Sequence, residues 1–570
     1  MPGGSGTGRV RTVAGRGGRR CRRGPVRRAP AARAAPSAGS RAARGRPPPA
    51  RRPWGARAEK ARGRVSRYCS LDSLDSHRST LRHTAMSTSG TTPGSTTGAN
   101  RAPRPHRRPK KDPARIVAFR ALRAVDERDA YANLILPSLL REAEQKGMDR
   151  RDAALATELL YGTLRLQGTY DAVIAACIDR PLGKVDPPVL DVLSLGAHQL
   201  LTTRIPSHAA VSATVELARV VLGDGKAKFV NAVLRRISAH DLDEWIERVA
   251  PPYDQDAEDH LAVVHSHPRW VVSALWDSLG RWQPDASGRT AMEELLRADN
   301  ERPEVTLVAR PGRATVGELA DALPEAEPGR WSPYALRLAE GGDPAGVAAV
   351  RENRAGVQDE GSQLVALALA AAPLDGPDRI WLDGCAGPGG KAALLGALAA
   401  ERGAALVASE KQPHRARLVA RALQGNPGPY TVIAADGTRP AWRSGGFDRV
   451  LVDVPCSGLG ALRRRPEARW RRRPADIAAF GPLQRDLLRS AVEATRVGGV
   501  VGYATCSPHL AETRAVVDDV LRAEGGRVEW IDARPLLPGV PALGDGPDVQ
   551  LWPHLHGTDA MYLALLRRTA

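Results

Sequence analysis

Short apolar runs alternate with helical segments from about residue 380 to residue 453, and this alternation constrains the fold more than any other feature. A first predicted strand over residues 380–382 leads through a glycine-rich turn into a helix that starts near Lys391. Later strands are predicted to end at Glu410, Asp436 and Asp453. This pattern predicts a doubly wound, mostly parallel α/β sheet, whose ligand binds across the C-terminal ends of the strands.

The glycine-rich turn, CAGPGGK, indicates a nucleotide-like ligand, because glycine allows close approach of the backbone and helix N-terminal amides favour anions. Two cofactors fit this pattern. Gly387, Gly389 and Ala392 match a loose dinucleotide fingerprint, with Glu410 about 20 residues further on, as in a nicotinamide dehydrogenase. S-adenosylmethionine needs the same turn and ribose-binding acid, and a further acid near the adenine, which Asp436 supplies.

Two of the six cysteines, Cys456 and Cys506, follow apolar runs in VLVDVPCSG and VVGYATCSP, so both are predicted at the cofactor edge of the sheet. Cysteine is often a buried apolar residue, but these two lie among polar loop residues, where reactive groups are common. One methyl transfer that requires a cysteine thiolate is methylation of cytosine C5. Addition of the thiolate to C6 makes C5 nucleophilic. A cation such as Lys391 would favour the thiolate, and Asp453 could bind the N3–N4 edge of the base.

Three segments together resemble the motifs of RNA cytosine-5 methyltransferases: DGCAGPGGK, DVPCSGLGALRRRPEARW and YATCSP. Upstream, HAAVSATVELA and KFVNAVLRRI resemble a NusB-like RNA-binding fold. From about residue 113 onward, the chain is therefore similar to the small-subunit ribosomal RNA methyltransferase B (Sun/Fmu) family. The resemblance implies S-adenosyl-L-methionine-dependent methylation of a cytosine C5 in 16S rRNA, through a covalent cysteine–C6 adduct.

The resemblance also implies roles for individual residues. Cys506 would be the nucleophile, Cys456 would assist product release, and Asp453 would lie close to both cofactor and base. Glu410 would hold the ribose, and Asp436 would lie beside the adenine. The methionine end would be lined by Cys385, Ala386, Gly387, Pro388, Gly389, Gly390 and Lys391. The chain departs from the family pattern twice, with Gly387 in place of the usual alanine and Glu410 in place of the commoner aspartate.

Four regions are predicted along the chain. They are a disordered leader (1–112), an all-α NusB-like RNA-binding domain (113–240), a small α+β connector (241–350) and a Rossmann-like methyltransferase domain (351–570). In the connector, PEVTLVARP and YALRLAE predict short strands around a helix in GELADAL. Two alternatives remain for the helical domain, which could be a spacer or belong to a non-catalytic RNA-binding scaffold.

The leader is rich in Arg, Gly, Pro and Ser and lacks periodic apolar residues, so we expect it to be disordered. Residues 1–112 carry 28 Lys and Arg against 4 Asp and Glu, a net charge of +24 against +20 for the whole chain. The overall charge is therefore weak support for nucleic-acid binding by the folded part. A basic tail and a targeting peptide are alternatives, but we favour an over-extended gene start, with Met86 as the true start.

The segment LRRRPEARWRRRP is the best sequence candidate for RNA contact, although a solvated charged face is the alternative. We expect phosphate contacts and base stacking from Arg463, Arg464, Arg465, Arg469 and Trp470. The cysteines lack paired metal-ligand spacing, which predicts no metal site. No apolar stretch is long enough for a membrane span. The few, widely separated cysteines predict a reducing, cytoplasmic environment. We expect a monomer, and the family resemblance implies small-subunit rRNA as its partner.

Overall fold

A computed structural model describes residues 112–286, 288–338 and 344–570. The predicted disordered leader and the candidate start at Met86 lie outside these residues, apart from Asp112. Asp112 belongs to the folded part, because its carboxylate accepts a hydrogen bond from the backbone N of Arg115 at 3.0 Å and caps the first helix. None of the α-helices in the described ranges is long and apolar enough to cross a membrane.

The predicted all-helical region is confirmed, and the last of its predicted helices ends at Ile237. Its helices pack around a core of Leu, Val, Ile and Ala side chains that includes Leu159, Val192 and Leu234. The helices are α1 (Pro113–Arg128), α2 (Ala132–Glu144), α3 (Arg150–Arg165), α4 (Gln167–Ala176), α5 (Pro187–Thr202), α6 (Ser207–Leu222) and α7 (Asp224–Ile237).

Residues 241–350 form a helical part and a sheet part that belong to different cores, which differs from the single α+β connector predicted from the sequence. Trp245, in the first helix of this region, packs in the core of the preceding helical bundle. The helical part comprises α8 (Leu242–Val249), α9 (Ala257–Val264), α10 (Arg269–Trp282) and α11 (Arg289–Ala298). Apolar side chains of α10 and α11, such as Leu275 and Leu295, share a core with the large sheet described below. Periodicity identified these amphipathic helices but not the surface that buries them.

The second part is a four-stranded antiparallel sheet in the order β2-β3-β1-β4, with its own small core around Leu307 and Leu336. The expected strands and helix of this part are present. The sheet extends past the expected boundary at residue 350, because its edge strand β4 follows that position. The elements are β1 (Val305–Ala309), α12 (Val316–Ala322), β2 (Ala326–Pro328), β3 (Ala335–Leu338), α13 (Ala348–Arg351) and β4 (Ala355–Val357).

The predicted doubly wound, mostly parallel sheet is confirmed in the C-terminal part. Strands β7, β6, β5, β8 and β9 are parallel neighbours, and β12, β10 and β11 add antiparallel pairs beyond β9. The strands are β5 (Ile380–Asp383), β6 (Ala405–Ser409), β7 (Tyr430–Ile433), β8 (Phe447–Asp453), β9 (Thr495–Thr505), β10 (Val528–Ile531), β11 (Val549–Gln550) and β12 (Tyr562–Arg568). The helices are α14 (Glu360–Ala371), α15 (Gly390–Glu401), α16 (Pro413–Ala422), α17 (Ala468–Arg471), α18 (Pro474–Ala494), α19 (Arg514–Glu524) and α20 (Pro553–His556).

The order of this sheet positions the site. Strand β5 lies between β6 and β8, so the connections on its two sides run in opposite directions and open a crevice at its C-terminal end. Strand β8 ends at Asp453 as predicted. Strand β6 ends one residue before Glu410, and β7 ends at Ile433, which leaves Asp436 in the following loop.

Candidate active site

The two cysteines of the sequence prediction lie side by side. Cys456 follows β8, Cys506 directly follows the adjacent parallel strand β9, and their Sγ atoms are 3.4 Å apart. The backbone N of Gly460 donates a hydrogen bond to the Cys506 carbonyl at 2.9 Å, which holds the loop after Cys456 against Cys506. A Cβ on Gly460 would lie 2.2 Å from the Ala560 carbonyl oxygen, so this contact requires glycine.

The environment separates the two thiols in acidity. The hydrogen bond from Cys456 lowers the pKa of Cys506 below its ordinary value, although burial and the charge of Asp453 oppose it. Lys391 and Arg465 act in the same direction as that hydrogen bond. The pKa of Cys456 is raised well above its ordinary value, chiefly by its hydrogen bond to Cys506 and by burial. Cys506 is therefore the more acidic thiol of the pair and Cys456 the less acidic one.

Lys391 and Asp453 form an ion pair beside the cysteines. The ammonium of Lys391 donates to Asp453 Oδ2 at 2.8 Å and to the Ser362 hydroxyl on α14 at 3.1 Å. Burial opposes the charged form of Lys391, but the charge of Asp453 and the hydrogen bond to it raise the pKa of Lys391 above its ordinary value. The site thus holds a fixed cation close to the thiolate of Cys506.

The predicted cofactor turn lies between β5 and α15, with Glu410 packed against it. One carboxylate oxygen of Glu410 accepts from the backbone N of Gln412 at 2.9 Å, and the other lies 3.6 Å from Arg415. Arg415 also donates to the Gly387 carbonyl at 2.7 Å. A Cβ on Gly387 would lie 2.0 Å from Glu410 Oε2. The two departures from the family pattern are therefore in direct contact, and the longer acid occupies the space that alanine would fill.

Asp436 faces the same crevice from the loop after β7. It pairs with Lys411 at 2.8 Å and accepts hydrogen bonds from the backbone and hydroxyl of Thr438 at 3.0 and 2.8 Å. The hydrogen bonds from Lys411 and Thr438 lower the pKa of Asp436 to about 2. It is therefore an anion at neutral pH, tied to the loop that follows β6.

Two arginines predicted to contact RNA are neutralised inside the protein instead. Arg464 pairs with Asp359 at 2.6 Å and with Asp559 at 3.0 Å, and Arg463 lies 3.3 Å from the same two carboxylates. These ion pairs satisfy Arg463 and Arg464 within the protein, and phosphate contacts from them stay a prediction. The carboxylates that bind them are distant in the sequence, and only the fold brings them together.

Arg469 and Trp470 are also structural. Arg469 is fully buried and donates to the carbonyls of Ser266 and Asp299, each at 3.1 Å. The ring of Trp470 packs against Gly168 of α4, where a Cβ would lie 2.5 Å from it. Arg469 thus serves packing between segments of the protein, and Trp470, which is half-buried, packs against the helical bundle. RNA contact by these two side chains stays a prediction.

Arg465 differs from its neighbours, because it is exposed. Its guanidinium lies 5.0 Å from the ring centroid of Tyr131, at the start of α2, and its charge lowers the pKa of Cys506. Of the five predicted RNA-contact residues, Arg465 keeps a solvent-facing charge near the thiolate.

A buried carboxylate that was not predicted from the sequence, that of Glu512, lies next to the cysteines. Glu512 accepts hydrogen bonds from Ser457 and Ser507, each of which directly follows one of the cysteines. The sequence signal that could have indicated this link is the Cys-Ser dipeptide shared by PCS and TCS, because both serines donate to Glu512. Within the described ranges, no group of three or more His, Cys, Asp or Glu could hold a metal ion.

Comparison with known proteins identifies the family. The sequence model of the family described as 16S rRNA methyltransferase RsmB/F matches residues 368–567, and that of the NusB family matches residues 112–239. A probable ribosomal RNA small subunit methyltransferase B of Bacillus subtilis is 31% identical, over 80% of this chain and 99% of its own. The chain belongs to the RsmB/F family.

Two further comparisons concern a relative and a solved structure. A putative methyltransferase of Mycobacterium tuberculosis is 54% identical over 80% of this chain and 97% of its own. The crystal structure of PH0851 covers 80% of this chain and 99% of its own, with a TM-score of 0.64 and 21% identity, and so shares the fold. This RsmB/F member is an S-adenosylmethionine-dependent rRNA methyltransferase, which excludes the nicotinamide dehydrogenase and the non-catalytic scaffold.

The groups around the turn fit the cofactor of the RsmB/F family. Asp383 Oδ2 and both amide atoms of Gln358 are buried without hydrogen-bond partners, and Gln358 lies beside Gly390 at the start of α15. Burial and the charge of Asp453 raise the pKa of Asp383 to about 7. Such acceptors and donors complement the ammonium and carboxylate of a methionine end, and Glu410 complements ribose hydroxyls.

Proposed function

We propose that this RsmB/F member methylates C5 of a cytosine in 16S rRNA through a covalent adduct between Cys506 and C6. The observation that carries the proposal is the 3.4 Å contact between two thiols at the ends of adjacent parallel strands, one with a lowered pKa and one with a raised pKa. Transfer to a nitrogen or hydroxyl nucleophile would require neither thiol, whereas C5 of cytosine needs activation by nucleophilic addition.

The first step belongs to Cys506. Its thiolate forms a bond to C6, and the electrons of the C5–C6 double bond make C5 nucleophilic. We assign the N3–N4 edge of the base to Asp453, whose carboxylate accepts a hydrogen bond from Lys391 at 2.8 Å and would stabilise the adduct. Bound S-adenosylmethionine supplies the methyl group, as an electrophilic carbon on a sulfonium.

The second step is product release. After methylation a water molecule from solvent accepts the C5 proton, the C–H bonding electrons re-form the C5–C6 double bond, and the Cys506–C6 bond breaks with its pair on sulfur. Cys456 is protonated and within hydrogen-bond distance of Cys506, so it can stabilise the departing thiolate. We therefore assign attack to Cys506 and release to Cys456.

The substrate is proposed from the relatives and from the charge near the site. Curated relatives of Bacillus subtilis and Pseudomonas putida carry the name ribosomal RNA small subunit methyltransferase B, at 31% and 33% identity. Arg465 and the adjoining NusB-like helices supply an exposed cation and a helical surface beside the site. Bisulfite sequencing of 16S rRNA from a deletion strain would identify the cytosine, whose 5-methyl signal we expect to disappear.

Two cysteine variants test the division of labour. Cys506→Ala should abolish methylation, because no thiolate remains to activate C5. Cys456→Ala should instead accumulate a covalent protein–RNA adduct, because breakdown of the Cys506–C6 bond loses its donor. The adduct is measured as a slowly migrating species on a denaturing gel, with 16S rRNA and S-adenosylmethionine present.

The double variant Cys456→Ala/Cys506→Ala is the matched control and should form no adduct. An adduct that forms with Cys506→Ala alone would reverse the assignment of the two cysteines. If neither single variant loses methylation, the covalent route itself is refuted.

A further inference from the structure

Glu512 is a buried carboxylate at the end of a short 3-10 helix, Leu510–Glu512, in the loop after Cys506. Within the described residues, no Lys or Arg side chain forms an ion pair with it. A carboxylate that is removed from water without a cation is costly unless several hydrogen bonds replace the water. The groups that donate hydrogen bonds to Glu512 are therefore the groups whose positions it fixes.

The carboxylate of Glu512 joins the two cysteine loops. One oxygen accepts from the backbone N of Ser457 at 2.7 Å. The other accepts from the hydroxyls of Ser457 and Ser507 at 2.5 and 2.7 Å, and these two hydroxyl oxygens are 3.0 Å apart. Ser457 follows Cys456 and Ser507 follows Cys506, so one carboxylate holds the residue next to each thiol.

Glu512 is itself held by rigid elements. Its backbone carbonyl accepts from the Tyr503 hydroxyl on β9 at 2.7 Å. The Gln484 amide on α18 donates to the Pro455 carbonyl at 3.0 Å and lies 3.4 Å from the Glu512 carboxylate. The link between the loops is therefore anchored to both the sheet and the helix that covers it.

We propose that Glu512 is a positioning residue that holds Cys456 at hydrogen-bond distance from Cys506. The inference rests on the proposed function, because it explains how the nucleophile receives the hydrogen bond that keeps it ionised. Glu512 lies behind the serines and acts on the reacting thiolate through Cys456, so it is not assigned contact with substrate or cofactor.

Loss of the Glu512 charge and displacement of Cys456 would shift the pKa of Cys506 in opposite directions. The sign of the shift therefore tests the inference. Loss of a nearby negative charge by itself would lower the pKa of Cys506 or leave it unchanged. Loss of the hydrogen bond from Cys456 would raise it. The other groups that face the two thiols, Asp453, Lys391 and Arg465, stay in place in either case.

The experiment measures how fast iodoacetamide alkylates Cys506 in the full-length protein as a function of pH, read from the Cys506 peptide by mass spectrometry. Glu512→Gln removes the charge and replaces one accepting oxygen with an amide donor, whereas Glu512→Asp keeps the charge but is one methylene too short to reach both serines. We expect both variants to raise the midpoint by about one pH unit, because a hydrogen bond to a charged acceptor shifts a pKa by roughly that amount. Glu529→Gln, at an exposed site on β10, is the matched control.

A double-mutant cycle shows whether Glu512 acts through Cys456. In a Cys456→Ala background, Glu512→Gln should no longer raise the midpoint, because the hydrogen bond is already absent. If Glu512→Gln does not fold, as judged by its thermal unfolding and S-adenosylmethionine binding, Ser507→Ala removes one link and provides the same comparison. An unchanged or lower midpoint in the Cys456-containing variants would overturn the inference.

The assay needs neither RNA nor methyl transfer. A failed adduct test with an upward alkylation shift would therefore refute the proposed function while leaving the positioning role intact.

Discussion

Gly387 and Glu410 show how one residue type can depend on another across the cofactor crevice. Alanine at position 387 would place its Cβ 2.0 Å from Glu410 Oε2, and that carboxylate is held by Gln412 and Arg415. We therefore expect the two departures from the family pattern to compensate each other, with glycine making room for the longer acid. The sequence alone does not show the contact between Gly387 and Glu410, because the turn and the end of β6 are adjacent only in the fold.

We expect Gly387→Ala to weaken S-adenosylmethionine binding about tenfold, because overpacking of this kind costs about 1–3 kcal/mol. Adding Glu410→Asp should restore most of the affinity, since the shorter acid vacates the space. Isothermal titration calorimetry on both variants measures the change. Gly346→Ala, at a position with open space around it, is the control. Equal weakening in the single and double variants would contradict the compensation.

At the scale of elements, the loops after β8 and β9 are joined at two points. Glu512 binds the serines beside the cysteines, and Gly460 donates to the Cys506 carbonyl while its own carbonyl accepts from the backbone N of Ala560 at 2.7 Å. The atoms around Gly460 belong to the backbone and cannot rotate away. The parallel strands bring the loops near each other, and these contacts set the distance between the thiols.

Gly460→Ala should lower the methylation rate at least about tenfold while leaving S-adenosylmethionine affinity within about twofold, because the clash moves the thiols and not the cofactor turn. Single-turnover methylation and calorimetry measure the two quantities. Gly225→Ala, in the first turn of α7 with open space around it, should change neither. An equal loss of cofactor affinity in Gly460→Ala would show that the loop also supports the turn.

Across the whole molecule, the arginine-rich segment after Cys456 joins the helical bundle to the catalytic domain. Arg469 reaches carbonyls on either side of α10 and α11, and Arg471 donates to the carbonyls of Val125 and Asp129 at 3.0 and 2.9 Å. The carboxylate of Glu467 accepts from the backbone N of Ala132 at 3.0 Å. These contacts use the cationic segment internally and leave Arg465 at the surface.

Arg469→Met should lower the free energy of unfolding by about 3 kcal/mol, because it leaves several buried carbonyl oxygens without donors. Urea denaturation followed by circular dichroism measures the loss. Arg522→Met, at an exposed position on α19, should change stability by less than about 1 kcal/mol. If the two variants lose equal stability, the buried contacts of Arg469 do not hold the domains together.

The sequence by itself determined the elements and their order along the chain. The 3.6-residue periodicity predicted the helical bundle to Ile237, and strand–helix alternation predicted the sheet. Apolar runs directly before Cys456 and Cys506 predicted one shared edge. Each inference succeeded because the signal lies within a window of neighbouring residues, where hydrophobic spacing reports which face is buried.

Only the tertiary structure decided which arginines of this segment are paired inside the protein and which are exposed to solvent. Asp359 and Asp559, which neutralise Arg463 and Arg464, lie about a hundred residues from them in the sequence. The same holds for the helices of residues 241–298, whose apolar faces could have packed on any surface. Which side chains pair or pack together depends on distances between segments that are remote in the sequence. Local composition does not determine those distances. The fold therefore assigned the arginines to packing and left the two thiols, held by Glu512, at the reactive edge of the sheet.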